Sequence, residues 1–310
     1  MTVLVVTNEQ DIGADHVVLE LERRRVRVLR CNAERLTDWR VSLRPGKDWE
    51  LRDPLGRTLT SGDTSGVWWR RPEAPAYDRD IARVERRTLV DQWQAFAVGL
   101  ASVRGPVWVS APSAIASAED KAAQIAAAHR VGFAVPNTVW TNDIDEARTL
   151  ATRRETVVKT VTAAHWESDD EAAFVFAHPL TVDALPGSDE AFAAAPAVLQ
   201  DRVEPKRDVR VTVAGGTVLA AETSVNQLDW RFTPQATWQP HELPVKASER
   251  CRSLVAELHL KFGGIDLALD TQGTYWFLEI NANGEWGWLQ ARGLPIASAL
   301  ADVLHPTDES

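Results

Sequence analysis

The segment at residues 261–288 constrains the fold strongly, because its pattern predicts a β-hairpin. Residues 265–269 form a short apolar run, and residues 274–280 form a second run that is rich in aromatic and β-branched side chains. The sequence Asp-Thr-Gln-Gly at residues 270–273 separates the two runs and is typical of a turn. Two such runs around a short glycine-bearing loop indicate two antiparallel strands joined at one end.

Three polar side chains interrupt the apolar pattern of this hairpin, namely Asp266, Glu279 and Asn281. Successive side chains of a strand point to opposite faces, so Glu279 and Asn281 share a face. Two carboxylates and an amide oxygen on one face suit Mg²⁺, which prefers hard oxygen ligands. The alternative is a half-exposed hairpin with an acidic outer face. Carboxylates beside apolar strand residues need a partner, because burying an unpaired charge is unfavourable.

The register of the hairpin decides whether the two carboxylates meet. If Asp270 pairs with Gly273 at the loop, Asp266 lies opposite Phe277. Asp266 and Glu279 are then diagonal neighbours on one face, about 7–8 Å apart at their backbones. One loop residue more or fewer would break this arrangement, so the predicted metal site depends on the loop length.

The composition narrows the class of protein. The 310 residues suggest about two domains, and the hydrophobic fraction of 45% supports a substantial core. The formal net charge of −10 argues against broad nucleic-acid binding, which requires a basic surface. No apolar run reaches the roughly 20 residues that span a membrane, and the first residues lack the basic segment of a signal peptide. We therefore expect a cytoplasmic protein without a membrane partner.

The N-terminal pattern is a strand at residues 3–6, a helix at residues 15–25 and a strand at residues 26–29, which predicts a parallel sheet with flanking helices. No G-x-G-x-x-G follows the first strand and no G-x-x-x-x-G-K-[ST] occurs, so neither a dinucleotide site nor a P-loop is predicted. Cys31 and Cys251 are far apart and no Cys-x-x-Cys exists, so neither a zinc site nor a disulfide framework is expected.

Four basic side chains lie at conspicuous positions. Arg70 and Arg71 end a predicted strand, where they could clamp a carboxylate or phosphate, although a solvated strand end fits equally well. Lys121 lies in the first turn of an alanine-rich helix predicted at residues 118–131, where a cation opposes the helix dipole. Lys159 lies among the apolar residues of another predicted strand. Each lysine is also compatible with a solvated surface position.

The order of these features along the chain is more specific than any one of them. A lysine begins a helix that ends in glycine, a strand lysine follows, and hairpins with charged residues come later. The series is Lys121, Gly132, Pro136-Asn137-Thr138, Lys159, Gln200-Asp201-Arg202, Asp208, Arg210, Asp229-Trp230-Arg231, Gly263-Gly264-Ile265-Asp266, and Glu279-Ile280-Asn281. This succession resembles the ATP-grasp superfamily over residues 113–305, in particular ligases similar to ribosomal-protein glutamate ligases.

Three motifs resemble those of a narrower group, the graspetide synthetases. These enzymes are ATP-grasp maturases that cyclise ribosomally made peptides. The motifs are Trp-Arg-Arg-Pro at residues 69–72, Asp-Trp-Arg at residues 229–231, and Glu-Ile-Asn-Ala-Asn-Gly-Glu-Trp-Gly-Trp at residues 279–288.

The resemblance implies an α/β (α+β) fold class with two parts. A pre-ATP-grasp βαβ domain would occupy residues 1–112, and an ATP-grasp domain would occupy residues 113–310, with subdomains at about 113–198 and 199–310. One feature departs from the family pattern, because the loop after Lys159 lacks the glycines that usually fold over the phosphates of ATP. The position of a phosphate lid is therefore left open.

The resemblance also implies a role for each matched residue. The expected cofactors are ATP and Mg²⁺. ATP phosphates would be contacted by Lys121, Lys159 and Arg210, the adenine by Gln200, Asp201 and Arg202, and the ribose by Asp208. Two Mg²⁺ ions would be held by Asp266, Glu279 and Asn281. Arg231 would meet the substrate carboxylate or its acyl phosphate and would act in catalysis together with Arg210. Further substrate contacts are predicted for Arg70, Arg71 and Asp229.

The implied function is an ATP-dependent carboxylate–amine or carboxylate–alcohol ligase. It would activate Asp or Glu side chains of a ribosomally made precursor peptide as acyl phosphates and form ester or amide macrocycles. The implied partners are a precursor peptide with a leader segment and a second copy of the chain in a homodimer. Two alternatives stay open: a glutamate-ligase-like enzyme that adds an amino acid to a peptide or protein, and a nucleotide-binding pseudo-enzyme.

Overall fold

The N-terminal region is organised around a parallel sheet. The computed structural model describes residues 1–77, 81–162, 165–167, 172–174, 177–224, 228, 233 and 237–306. The elements of this region are β1 (Thr2–Thr7), α1 (Ile12–Arg23), β2 (Arg27–Asn32), β3 (Arg40–Arg44), β4 (Asp48–Arg52), β5 (Thr58–Thr60), β6 (Thr64–Trp69), α2 (Arg83–Leu100) and β7 (Val107–Val109). The sheet has the order β2-β1-β6-β7, and its strands are parallel.

The predicted strand–helix–strand opening is confirmed. The apolar residues at positions 3–6 of β1 are buried, as are Val17 and Leu21 on the inner face of α1. Asp11 caps α1, because its Oδ1 accepts the backbone N–H of Ala14 at 3.0 Å. Thr7, the last residue of β1, donates to Asp11 Oδ2 at 2.6 Å, so the N-terminus of α1 lies beside the carboxyl end of β1.

A second, antiparallel sheet in this region contains β3, β4 and β5. Asp53 closes the turn between β4 and β5 by accepting the backbone N–H groups of Leu55 at 3.0 Å and Arg57 at 2.8 Å. Trp49 and Leu51 on β4 are buried in a core that also includes the C-terminal part of α2. The two sheets of the N-terminal region thus share apolar contacts through α2.

The next region contains a small antiparallel sheet. Its elements are α3 (Pro112–Ala118), α4 (Lys121–Arg130), β8 (Thr138–Thr141), α5 (Ile144–Arg153), β9 (Thr156–Thr160), β10 (His165–Glu167), β11 (Ala172–Phe174), β12 (His178–Leu180), α6 (Asp189–Ala193) and β13 (Ala197–Asp201). The sheet has the order β12-β9-β13-β8, and α5 packs on it through Ala147, which lies against Leu180 and Leu199. β10 and β11 form a separate two-stranded pair.

The helix predicted at residues 118–131 is shorter in the structure, and a helix precedes it. The preceding helix is α3, at Pro112–Ala118. Asp120 separates α3 from α4, because its Oδ1 accepts the backbone N–H groups of Ala122 at 2.8 Å and Ala123 at 3.1 Å. The backbone of Asp120 is extended, with φ of −69° and ψ of 109°, which interrupts the helical conformation between the two helices. Lys121 is consequently the first residue of α4.

The C-terminal region is built on a five-stranded antiparallel sheet. Its elements are β14 (Lys206–Ala214), β15 (Thr217–Thr223), β16 (Gln239–Pro240), α7 (Val245–Glu257), β17 (Phe262–Asp270), β18 (Tyr275–Asn281), α8 (Gly287–Gln290) and α9 (Ile296–Leu304). The order is β16-β15-β14-β17-β18. One face of this sheet buries apolar side chains such as Val211 and Ile265 in a core that includes Leu254 of α7.

The last helix, α9, joins the C-terminal region to the N-terminal one. Leu300 and Leu304 of α9 share a buried core with Val17 and Leu21 of α1. α9 also passes close to β6, because a Cβ atom on Gly66 would lie 2.3 Å from the carbonyl oxygen of Leu304. A glycine at this position lets the helix approach the strand closely. None of the helices in the described part of the chain is long and apolar enough to cross a membrane.

The predicted hairpin of β17 and β18 is confirmed, but its predicted register is wrong. The backbone N–H of Asp270 bonds to the carbonyl of Thr274 at 3.1 Å, so the loop is one residue longer than expected. Gly273 occupies the left-handed conformation that such a three-residue loop requires, with φ of 83°. Phe277 therefore pairs with Leu267 instead of Asp266.

The register shifts a second time, and the two shifts together keep Asp266 and Glu279 on the same face of the hairpin. The register shifts between Asp266 and Leu267, so that Leu278 is the extra residue of a β-bulge. Asp266 consequently pairs directly with Glu279 across the two strands. The carboxylates are adjacent neighbours in the sheet and not the diagonal neighbours that the sequence predicted.

Candidate active site

A cleft of about 500 Å³ lies between the small sheet and the five-stranded sheet. Its lining includes side chains from both sheets, from α4 and from the end of β6. The predicted site residues that line it are Arg71, Lys121, Lys159, Gln200, Asp201, Arg202, Asp208, Arg210, Asp266, Glu279 and Asn281. The fold thus brings together residues that are up to 210 positions apart in the chain.

A row of charged side chains crosses three neighbouring strands at the floor of the cleft. Arg210 on β14 pairs with Asp266 on β17, and Asp266 pairs with Glu279 on β18. Arg210 Nη1 donates to both carboxylate oxygens of Asp266 at 2.9 Å. Lys121 Nζ lies 3.1 Å from Glu279 Oε2. Each carboxylate therefore has a cation beside it, which offsets the unfavourable juxtaposition of two like charges.

Two glycines make room for the guanidinium of Arg210. A Cβ atom on Gly264 would lie 2.5 Å from Arg210 Nη2, and a Cβ atom on Gly284 would lie equally close. Arg210 also donates from Nη2 to the backbone carbonyl of Glu285 at 3.2 Å. Its buried Nε finds no hydrogen-bond acceptor among the described residues. Asp266 and the backbone of Glu285 thus hold the Arg210 guanidinium at the floor of the cleft.

Gln124 fixes α4 against β18, a contact that was not predicted from the sequence. Its side-chain amide donates to the carbonyls of Ala118 at 2.7 Å and Ile280 at 2.9 Å. Its amide oxygen accepts the backbone N–H of Ile280 at 3.1 Å. This contact aligns Lys121, one turn earlier on α4, with Glu279. A glutamine on the buried face of an alanine-rich helix is the sequence feature that could have predicted this contact.

The wall formed by the small sheet carries the second predicted lysine. Lys159 Nζ donates to Gln200 Oε1 at 2.7 Å, and Gln200 Nε2 donates to Thr138 Oγ1 at 2.9 Å. Gln200 is buried. Three neighbouring strands, β8, β9 and β13, therefore contribute one polar chain to this wall.

The connection between the two sheets carries further charged side chains. Asp201 accepts a hydrogen bond from Arg154 Nη1 at 2.5 Å, and Arg202 Nε donates to Glu204 Oε2 at 3.0 Å. Asp208 forms an ion pair with Lys206. Lys206 lines the cleft but was not predicted as a site residue.

Asp266, Glu279 and Asn281 form a donor set that fits Mg²⁺. All three supply hard oxygen atoms from adjacent strands, and Mg²⁺ is usually bound by one or two carboxylates together with substrate phosphates. Asn281 Nδ2 lies 3.4 Å from Glu279 Oε1, so the amide is next to the carboxylate. No group of three His, Cys, Asp or Glu side chains suited to a metal is found among the described residues, because the third donor here is an amide.

The two arginines at the end of β6 differ in their surroundings. Arg71 lines the cleft, is about half exposed, and forms an ion pair with Glu285. Arg70 has a side chain that is 0% exposed and pairs with Asp11 at 3.2 Å and Glu285 at 2.8 Å. Burial lowers the pKa of Arg70, and the two carboxylates act in the opposite direction. Arg70 is therefore neither a solvated strand end nor part of the cleft lining.

Two further predicted residues, Asp229 and Arg231, lie outside the described residues. The described residues on either side of that segment include Trp238, which lines the cleft together with Trp288. The two indole rings form an edge-to-face pair with centroids 4.8 Å apart. An apolar, aromatic surface therefore adjoins the charged floor of the cleft.

Comparison with solved structures identifies the fold. The macrocyclase MdnC from Microcystis aeruginosa MRC, bound with precursor peptide MdnA, superposes with a TM-score of 0.85 at 24% identity and covers 99% of each chain. A RiPP-associated ATP-grasp ligase from Chryseobacterium gregarium, in complex with ADP and a leader and core peptide, has a TM-score of 0.85 at 24% identity over 98% of this chain and 96% of that one.

A third solved structure agrees. The ATP-grasp ligase PsnB, complexed with minimal precursor, Mg and ADP, has a TM-score of 0.76 at 21% identity over 97% of this chain and 96% of that one. No protein-family model matches the sequence, and no curated protein is similar to it. The chain accordingly shares the fold of these solved ATP-grasp structures, and the predicted α/β fold class is confirmed.

Proposed function

We propose that the protein is an ATP-dependent ligase that forms ester or amide macrocycles in a ribosomally made precursor peptide. The observation that carries this proposal is the row Lys121, Glu279, Asp266 and Arg210 in the cleft of an ATP-grasp fold. The relatives described above are similar along almost their whole length and include a macrocyclase bound with its precursor peptide.

In this proposal the cleft holds ATP between the two sheets. Lys121, Lys159 and Arg210 contact the phosphates, and the segment Gln200, Asp201 and Arg202 lies along the adenine. Asp208 contacts the ribose. ATP brings about four negative charges, and positioned cations are what phosphoryl transfer requires. The location of all these side chains on one cleft supports the assignment.

The proposal places two Mg²⁺ ions at Asp266, Glu279 and Asn281. These ions would supply charge neutralisation for the phosphate oxygens. In the structure, Lys121 neutralises Glu279 and Arg210 neutralises Asp266. When metal and nucleotide bind, both cations are close enough to exchange a carboxylate partner for a phosphate oxygen. The net charge of the site then stays balanced without a large rearrangement of the strands.

The reaction proceeds in two steps. An Asp or Glu carboxylate of the peptide attacks the γ-phosphorus of ATP, which forms an acyl phosphate and releases ADP. A Ser or Thr hydroxyl or a Lys amine of the same peptide then attacks the acyl carbon, and phosphate leaves. Arg210 and Arg231 stabilise the negative charge that develops in these steps. No nucleophile of the protein is needed, so positioning is its main contribution.

Several finer features belong to the same proposal. The domain boundaries are those expected from the sequence, at residues 1–112 and 113–310 with subdomains at about 113–198 and 199–310. The protein acts in the cytoplasm as a homodimer on a precursor with a leader segment, without a nucleic-acid or membrane partner. Arg71 and Asp229 contact the peptide. Sedimentation analysis of the purified chain tests the dimer.

The intact mass of a small peptide encoded beside this gene tests the function. The peptide is incubated with the protein, ATP and Mg²⁺, and loss of one water per link is expected. A gain of one amino-acid mass would instead support a ligase that adds an amino acid. Unchanged peptide mass together with absent ADP formation and absent nucleotide binding would contradict the proposal and favour a different role for the cleft.

A further inference from the structure

We infer that Arg70 is a positioning residue, which holds the loop at residues 282–286 so that this loop fixes the guanidinium of Arg210. This inference rests on the proposed function, because it assigns Arg70 an indirect part in nucleotide binding. Arg70 lies in the N-terminal region at the end of β6, whereas Arg210 lies on β14. The loop at residues 282–286 directly follows β18 and connects the two.

The contacts of Arg70 converge on this loop. Arg70 Nη1 donates to the carbonyls of Asn283 at 2.6 Å and Gly284 at 3.0 Å. Its Nη2 donates to Glu285 Oε1 at 2.8 Å. One buried side chain therefore binds three successive residues of the loop, two of them through the backbone.

The position of Arg70 is itself determined by α1 and β1. Its Nε lies 3.2 Å from Asp11 Oδ2, and the same oxygen accepts a hydrogen bond from Thr7 Oγ1 at 2.6 Å. Gly13 leaves space, since a Cβ atom there would lie 3.3 Å from Arg70 Nη2. The crevice at the carboxyl ends of parallel strands commonly receives a ligand. In this chain the side chain of Arg70 and the loop occupy it.

The loop in turn contacts Arg210. The carbonyl of Glu285 accepts a hydrogen bond from Arg210 Nη2 at 3.2 Å. Gly284 lies so close that a Cβ atom there would be 2.5 Å from the same nitrogen. A displacement of the loop would therefore change both the hydrogen bond and the space available to Arg210. This is the structural connection between Arg70 and the floor of the cleft.

Arg71 holds the same loop from the cleft side. Its Nε donates to the carbonyl of Asn283 at 2.9 Å, and it forms an ion pair with Glu285. Consecutive side chains of a strand point in opposite directions. Arg71 has φ of 42°, outside the strand conformation, and this change of direction lets both arginines reach one loop.

Arginine is specifically suited to the position of Arg70. A guanidinium offers five N–H donors in a rigid plane, whereas a lysine offers one compact ammonium group. Only the former spans Asp11, Glu285 and two carbonyls at once. Arg70→Lys retains the charge but loses the spacing of the donors. The variant therefore separates the alignment of the loop from the neutralisation of Asp11.

A double-mutant cycle on nucleotide binding tests the inference. Titration calorimetry with the non-hydrolysable analogue AMPPNP and Mg²⁺ compares the wild type with Arg70→Lys, Arg210→Lys and the double variant. We expect Arg70→Lys to raise the Kd about 10-fold in the wild-type background and by less than about 2-fold in the Arg210→Lys background. Residues that act through one another give such non-additive effects.

The matched control is Arg24→Lys. Arg24 also connects the N-terminal region to the C-terminal one, because it joins α1 to Asp302 and Ser298 of α9, but it does not contact the loop at residues 282–286. It should lower the melting temperature without changing the Kd for AMPPNP. If Arg70→Lys does not fold, Glu285→Gln replaces it, because the half-exposed Glu285 side chain tolerates substitution more readily.

Two outcomes would overturn the inference. One is an unchanged Kd in the Arg70→Lys variant, or in Glu285→Gln where that variant is used. The other is an equal increase of the Kd in the wild-type and Arg210→Lys backgrounds, which would mean that the two sites act independently. A wild-type protein that binds no AMPPNP would overturn the proposed function instead, so the two failures are distinguishable.

Discussion

Lys121 Nζ lies 3.1 Å from Glu279 Oε2, so the first residue of α4 neutralises a carboxylate that is 158 positions further along the chain. Gln124, three residues after Lys121, fixes the same strand through its backbone. The pair links a proposed phosphate-binding cation with a proposed metal ligand. Its geometry explains why the site depends on both α4 and β18.

Glu279→Gln should lower Mg²⁺-dependent ATP turnover at least about 100-fold, because several kcal/mol of metal-mediated stabilisation would be lost. Release of ADP in the presence of the precursor peptide is the measurement. Glu257→Gln is the control, since Glu257 pairs with Arg130 on the exposed surface and should leave turnover unchanged. Wild-type turnover by Glu279→Gln would contradict its assignment as a metal ligand.

Gly264→Ala should reduce both stability and nucleotide affinity. Its Cβ atom would meet the guanidinium of Arg210 at 2.5 Å, and overpacking of this kind typically destabilises by about 1–3 kcal/mol. Thermal unfolding and AMPPNP titration measure the two effects. Gly216→Ala is the matched control, because no atom lies within 4 Å of its Cβ position. Equal behaviour of the two variants would show that Arg210 moves freely.

Gln124→Leu should lower the free energy of unfolding by about 1–3 kcal/mol, because it leaves the buried N–H and C=O groups of Ile280 without their partner. Denaturant unfolding measures the change. The same substitution at Gln92, which is exposed on α2, should have little effect. A similar loss for both variants would contradict a specific role of the Gln124 contacts.

Glu20→Gln should change stability in a pH-dependent way. The hydrogen bond from Arg23, supported by Arg24, lowers the pKa of Glu20 from 4.5 to about 2. A lowered pKa stabilises the folded state above pH 4.5, and this contribution is lost as the pH falls from 4.5 towards 2. Because the ion pairs are solvent-accessible, we expect a difference of only about 1 kcal/mol at pH 7.

The measurement for Glu20→Gln is the difference in free energy of unfolding from the wild type at pH 7 and at pH 3. The difference should be smaller at pH 3. Glu22→Gln serves as the control, since Glu22 is exposed and forms no ion pair with the described residues. A difference that grows as the pH falls would contradict the lowered pKa.

Arg231→Ala should abolish ligation while nucleotide binding is largely retained. The prediction comes from the resemblance of the Asp-Trp-Arg motif, which implies that this arginine would meet the substrate carboxylate or its acyl phosphate. Peptide mass and AMPPNP titration together measure the outcome. Complete macrocyclisation by the variant would refute the proposed role.

Local patterns determined many elements of this protein. Alternating and continuous apolar runs predicted the N-terminal βαβ unit, the hairpin of β17 and β18, and the strand that carries Lys159, because strand formation and burial leave a short-range pattern in the sequence. The order of the charged motifs indicated the ATP-grasp fold, which the solved structures share. These features depend on residues that are close together in the chain or in a fixed order.

Only the tertiary structure decided how these elements meet. The longer loop at Gly273 and the bulge at Leu278 each shift the register by one residue. No residue pattern reveals that the two shifts together leave Asp266 opposite Glu279. Arg70 was predicted as a substrate contact. In the structure it is buried beside Asp11 at the start of α1 and binds the loop at residues 282–286. Such contacts join distant parts of the chain, so packing of the whole molecule determines them and local sequence does not.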